Sequence, residues 1–320
     1  MNIKTPTLIS TEYAIRLFDQ YDHQHVNDVL SVREALLLKS GDTSGISYSR
    51  INEGDGIPTL YIPGFTEGIT SKAPLALELA SDVFEPGLDV IIPDQHRIGI
   101  DTNGFTKRGR AKKDATYSQA LNYLEILKVE VGDGPVNVIT HSYGSLIFQA
   151  MAKIAKERDL GIFESVDVVM LSPAGFNDKD SSPRLGWRFL RSMISELKST
   201  KEFPDQNNEL MKAGIRILVA NPRRSWSEIR ALAREKVNPE ELFATGVGSL
   251  AVMVFGQDKL FPQKVLDSKM KRAVDAGVSY MTPVSISNET SAVDGATHND
   301  DQFNPRRVSN AVKQYLTTIK

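Results

Sequence analysis

The sequence predicts an α/β fold: a mostly parallel, doubly wound sheet with helices on both faces and an inserted helical cap. Short β-branched runs alternate with amphipathic stretches along most of the 320 residues. Strands separated by helical crossovers pair in parallel and place helices on both faces. The rhythm breaks once, between Leu171 and Ser249, where the patterns are helical apart from one ambiguous run at 215–220.

Residues 46–51 and 59–62 read as strands around the turn-rich Asn52-Glu53-Gly54-Asp55-Gly56. A link that short starts the sheet antiparallel. Leu75, Leu79 and Val83 then follow helical spacing. Residues 88–92 form a short apolar run closed by Pro93, as a buried strand would be. A long helix over 111–131 carries Ala120, Leu121, Leu124, Leu127 and Val131 on one stripe. The next strand is 136–139, the next helix 146–155, and the strand at 166–171 ends at Ser172-Pro173. Beyond the break come a strand at 249–255, a helix at 262–276, a last strand at 278–286 and a closing helix at 306–319.

These elements give a core of residues 40–175 and 247–320, with 176–246 as a cap over the end of the sheet. The alternative places that insertion in the main core. Its helical patterns are Leu185, Phe189, Met193 and Leu197, then Trp226, Ile229, Leu232 and Ala233. Trp187 and Trp226 both fall here, expected either to line an apolar pocket or to pack the cap onto the body. The region is mildly basic, thirteen Lys and Arg against ten Asp and Glu. Arg184, Arg188, Arg191, Arg223 and Arg224 read as surface charges, with contact to a substrate carboxylate as the alternative. Residues 1–39 form an N-terminal extension with packing elements around Leu8, Tyr13, Ile15, Leu17 and Phe18, and around Val32, Ala35 and Leu36.

Composition narrows the function. Apolar residues make up 41% and charged residues 24%, an ordinary globular balance. A net charge of −2 gives no electrostatic reason to expect nucleic acid or an anionic membrane as partner. The basic run Lys107-Arg108-Gly109-Arg110-Ala111-Lys112-Lys113 reads as a solvated loop or helix opening. The absence of cysteine removes disulfides, thiolate metal sites and a cysteine nucleophile. Residues 1–10 lack a signal-peptide pattern, and no window approaches the ~20 apolar residues of a membrane span. The expectation is a cytoplasmic protein. His23-Gln24-His25 has no third ligand nearby and reads as a surface pair, so neither a metal nor a cofactor is expected.

The chemistry concentrates at Thr140-His141-Ser142-Tyr143-Gly144, between a strand and a helix. A nucleophile on such a turn sits in strained backbone, and large side chains two residues to either side would clash. Thr140 stands where Gly is commoner but keeps a small side chain. The structural alternative is an N-cap serine beside a glycine. Tyr61-Ile62-Pro63-Gly64-Phe65 follows the strand at 59–62, so the backbone N–H groups of Phe65 and Tyr143 can point at one site. Two such donors stabilise a tetrahedral oxyanion by about 3–4 kcal/mol each.

With these residues the chain resembles the α/β-hydrolase-fold serine hydrolases, the esterases and lipases among them, over nearly all its length apart from the cap. Gly256-Gln257-Asp258-Lys259-Leu260-Phe261-Pro262 is similar to the segment that carries the family's acid, and Gly295-Ala296-Thr297-His298 to the loop that carries its histidine. The order Ser142, Asp258, His298 is the family's. The resemblance implies Ser142 as nucleophile, His298 as general base and acid, Asp258 as the group that orients it, and no cofactor. Asp178 and Asp180 are the alternative acids. His141 is committed by adjoining Ser142, and His96 lies in an earlier loop. Glu67 reads as solvated, and Asp300 and Asp301 as capping residues for the last helix. The implied reaction is hydrolysis of a carboxylic ester with a small or medium acyl group. The alternatives are an acyltransferase on the same triad, or a ligand-binding protein with little turnover. Oligomeric state is not legible in these residues.

Overall fold

A computed structural model describes residues 8–9, 39–40, 47–51, 57–65, 69–80, 87–93, 115–176, 182–199, 222–256, 258, 260–261, 266, 270–271, 273–275, 277–281 and 305–318. The strands are β1 (Leu8–Ile9), β2 (Lys39–Ser40), β3 (Ser47–Ile51), β4 (Thr59–Ile62), β5 (Val90–Pro93), β6 (Asn137–His141), β7 (Asp167–Leu171), β8 (Ser249–Met253) and β9 (Ser279–Met281). The helices are α1 (Ile69–Ala80), α2 (Ala115–Glu130), α3 (Gly144–Glu157), α4 (Ser182–Ser199), α5 (Pro222–Arg234), α6 (Pro239–Ala244) and α7 (Pro305–Thr318). They build one sheet in the order β1-β3-β5-β4-β6-β7-β8-β9, with β2 paired to β3. From β5 to β9 every pairing is parallel. This is the doubly wound α/β architecture the alternation predicts.

The strands are short apolar runs because both faces of the sheet are covered. Alternate side chains therefore enter two cores. Leu60, Val138, Val168, Met170, Leu250 and Val252 meet α2 and α3 on one face. Tyr61, Ile139, Val169, Leu171, Ala251 and Met253 meet α1 and α7 on the other. Fully burying an aliphatic side chain contributes about 1.5–3 kcal/mol, so this two-sided burial holds the sheet together.

One expectation is corrected. The edge strand β1 pairs with β3 in parallel, and β3 and β4, although consecutive, are not neighbours. β5 lies between them, antiparallel to β3 with Tyr48 opposite Pro93 and Ile51 opposite Val90. All four residues of β4 are buried, so β4 needs a partner on each side and takes β5 and β6. A buried charge cluster fastens β3 in its place. The Arg50 guanidinium grips Asp89 at 2.9 and 2.6 Å and reaches Glu130 at 3.2 Å, while Tyr48 donates to Glu130 at 2.5 Å.

The order β5-β4-β6 has a functional consequence. The chain winds outward from β4 through α1 to β5, then crosses back through α2 to β6 on β4's other side. The carboxyl ends of β4 and β6 therefore flank the point where winding reverses, the preferred ligand crevice of such sheets. Ser142 follows β6 and Phe65 follows β4. The link from β7 to β8 carries α4, α5 and α6, and α4 packs against α5. Among the described residues, no helix is long and apolar enough to cross a membrane.

Candidate active site

Ser142 stands in the turn between β6 and α3 with φ +50°, the left-handed region that costs a residue bearing a Cβ roughly 1–2 kcal/mol. Several backbone bonds hold it there. Its N–H donates to the Leu171 carbonyl at 3.0 Å, and its own carbonyl accepts from Ala174 at 3.0 Å and Ser145 at 3.2 Å. α3 starts at Gly144, earlier than the helical spacing indicates, because Ser145 already bonds back to Ser142.

Gly144 shows why the motif needs glycine. A Cβ there would stand 2.4 Å from the Ile62 carbonyl oxygen and 3.0 Å from that of Pro63. The start of α3 thus presses directly on the end of β4, whose next residues lead to Phe65. Because Ile62 is in register with Thr140, Phe65 and Tyr143 each lie three residues past that pair. Thr140 is fully buried, and its hydroxyl lies 3.0 Å from that of Ser145. A small polar residue is therefore accommodated where glycine is commoner.

His141 points to the sheet face covered by α1. It is fully buried, and its Nδ1 lies 3.2 Å from Nζ of Lys72, itself fully buried in α1. With the amine donating, Nδ1 accepts and the ring proton falls on Nε2. The pair ties α1, which follows the Phe65 loop, to the strand that delivers Ser142. Sequence reasoning missed Lys72; a lone lysine in a helix carries no pattern.

Asp258 lies in the loop after β8 and is buried. Its Oδ1 accepts the backbone N–H groups of Leu260 at 2.7 Å and Phe261 at 2.9 Å, and its Oδ2 accepts the Ser172 hydroxyl. Ser172, at the end of β7, has φ +41° and no exposed surface. The backbone of 171–174 thus holds Ser142 while its serine side chain holds Asp258. The Ser-Pro pair closing the strand was the available cue, read from sequence only as a strand end.

His298 lies outside the described residues, as do the alternative acids Asp178 and Asp180, and Glu67, His23, His25, His96, Asp300 and Asp301. The structure thus places Ser142, Asp258, Phe65 and Tyr143 at the carboxyl edge of the sheet.

The helices after β7 touch this edge. Phe189 of α4 packs edge-on against Phe65, ring centres 5.3 Å apart at 72°. Thr116 donates to Glu235 at 2.6 Å, and its hydroxyl lies 3.4 Å from the Tyr143 hydroxyl. Both residues expected to donate to an oxyanion are therefore backed by groups that also meet the inserted segment. The tryptophans depart from expectation: Trp187 is 60% and Trp226 53% exposed, so neither is a buried anchor or the lining of a buried pocket.

No protein-family model matches the chain, and no curated protein matches it by sequence. Solved structures do. A candidate lipase from Acinetobacter baumannii AYE superposes with TM-score 0.64 at 16% identity, covering 94% of this chain and 96% of that one. An esterase from Thermogutta terrifontis gives 0.57 at 17%, covering 87% and 97%. A candidate non-haem bromoperoxidase from Mycobacterium tuberculosis H37Rv gives 0.51 at 14%, covering 86% and 96%. The chain has the α/β-hydrolase fold.

Proposed function

We propose that this chain is a serine hydrolase that cleaves a carboxylic ester, or a related acyl bond, through an acyl-enzyme on Ser142. The observation that carries the reading is the strained Ser142 at the sheet's reversal point, with the buried Asp258 held one strand away through Ser172. The esterase and candidate lipase on the same fold support it.

A serine hydroxyl is a poor nucleophile at neutral pH and needs a base. His298, which comes after the last described strand in chain order, takes the Ser142 proton as Oγ bonds to the carbonyl carbon. The carbonyl oxygen becomes an oxyanion that accepts from the N–H groups of Phe65 and Tyr143. Collapse breaks the bond to the leaving alkoxide, which receives the proton from His298. Water then adds to the acyl carbon and gives a proton to His298. That proton returns to Ser142 as the carboxylic acid departs. Asp258 fixes the imidazole tautomer and stabilises its cation. In this reading residues 176–246 are a cap that lines the acyl site through Phe189, and the substrate is a small-molecule ester of small or medium acyl length.

The test is hydrolysis of p-nitrophenyl esters of graded acyl length by the wild type and by Ser142→Ala, His298→Ala and Asp258→Asn. Turnover should fall by at least about 10⁴-fold in the first two variants and by a similar factor in the third. Full activity in folded Ser142→Ala overturns the proposal.

A further inference from the structure

The outward sides of α4 and α5 sort their side chains more sharply than a solvated surface requires. On α4, Leu185 is buried while Arg184, Trp187 and Arg191 are exposed. On α5, Ser225, Glu228, Ala231 and Ala233 are buried while Trp226, Arg230 and Arg234 are exposed. The described carboxylates turn inward: Glu228 accepts from Gln119 at 2.5 Å, and Glu235, just past α5, from Thr116 at 2.6 Å. Among the described side chains of α4 and α5, every exposed charge is therefore an arginine. Trp187 has Arg184 and Arg191 one helical turn to either side, and Trp226 has Arg230 one turn on. Soluble domains ordinarily intersperse both signs of charge. With the whole chain at −2, this positive face stands against a net-negative remainder.

Two exposed indoles framed by guanidinium groups match one environment closely. Indole is apolar with one polar N–H and settles at the headgroup level of a bilayer, where arginine forks onto lipid phosphates. The face is made from the backs of two adjacent helices rather than from a groove that would take a peptide. We infer that the outer face of α4 and α5 docks on an anionic lipid surface through Trp187, Trp226, Arg191, Arg230 and Arg234. Docking would lay the outer side of α4 on the bilayer while Phe189, on its inner side, stays over Phe65. The inference does not depend on the chemistry assigned to Ser142.

The chain's two tryptophans are both on this face, so their emission, excited apart from that of the nine tyrosines, reports on it. The full chain is titrated with phosphatidylcholine vesicles containing phosphatidylglycerol, and with pure phosphatidylcholine vesicles. The expected result is a blue shift of emission with the anionic vesicles only, reversed by high salt. Arg230→Gln with Arg234→Gln should weaken binding roughly 25-fold, at about five-fold per arginine, with an unchanged circular dichroism spectrum because both side chains are exposed. No shift with anionic vesicles, or an equal shift with both kinds, overturns the inference. So does an emission already blue without vesicles, which would show the indoles covered. A shift with soluble polyglutamate but not with vesicles would assign the face to an acidic protein and overturn the lipid reading.

Discussion

Ser172 donates its hydroxyl to Oδ2 of Asp258, joining the end of β7 to the loop after β8. The same turn receives the backbone of Ser142, so one short stretch of chain fixes the relative positions of nucleophile and acid. Losing a hydrogen bond to a charged group typically costs about 1.5–3 kcal/mol. Ser172→Ala is therefore expected to lower kcat about 10-fold or more with little change in KM. Ser172→Gly separates the two roles of the residue, since glycine accepts φ +41° without strain but lacks the hydroxyl. Equal losses in both variants place the effect in the hydroxyl. Recovery in the glycine variant would place it in the backbone.

Gly144→Ala puts a methyl group into the Ile62 carbonyl, 2.4 Å away. Backbone on both sides must move, so the expected loss is about 3 kcal/mol of stability, read as a lower urea midpoint. Activity should fall further than stability, because the displaced strand end leads to Phe65. A variant as stable and active as the wild type would contradict this account of the turn.

Phe189→Ala removes the ring that rests on Phe65. An edge-to-face pair contributes about 0.5–1.5 kcal/mol beyond buried area. KM for the longer acyl esters should rise about 2- to 10-fold, while KM for acetate esters changes little. A uniform fall in kcat across the series would instead make the ring a support for the Phe65 backbone.

Tyr48 predicts a pH dependence of stability. Burial, then the hydrogen bond and charge of Glu130, push its phenol well above its ordinary value of 10, only partly opposed by Arg50. The folded state thus holds the proton more tightly than the unfolded chain. This contribution is complete below pH 10 and is lost as pH rises from there towards the folded-state value. Urea unfolding should show a decline in stability above that pH, reduced in Tyr48→Phe. Arg50→Met should cost about 3–5 kcal/mol at neutral pH by stranding the Asp89 and Glu130 carboxylates.

What the sequence revealed was local, and what it concealed was long-range. Thr140 to Gly144 is readable because strand, turn and helix are contiguous and each residue answers a nearby steric demand. The insertion of β5 between β3 and β4 is not, because apolar runs of similar length carry no record of their partners. The Ser172–Asp258 bond spans 86 residues and leaves no periodic trace. α5 misleads for another reason. Helical spacing groups Trp226 with Ile229, Leu232 and Ala233, and these last three do pack on the core; Trp226 alone turns outward, while Glu228 and Glu235 bond to Gln119 and Thr116 of α2. His298 was assigned by resemblance and chain order, and it lies outside the described residues.

Activation of Ser142 is read most directly by intact mass after exposure to a fluorophosphonate. One stoichiometric adduct is expected on the wild type, none on Ser142→Ala, and a much slower adduct on His298→Ala. An adduct that persists on Ser142→Ala, or none on folded wild-type protein, would contradict it.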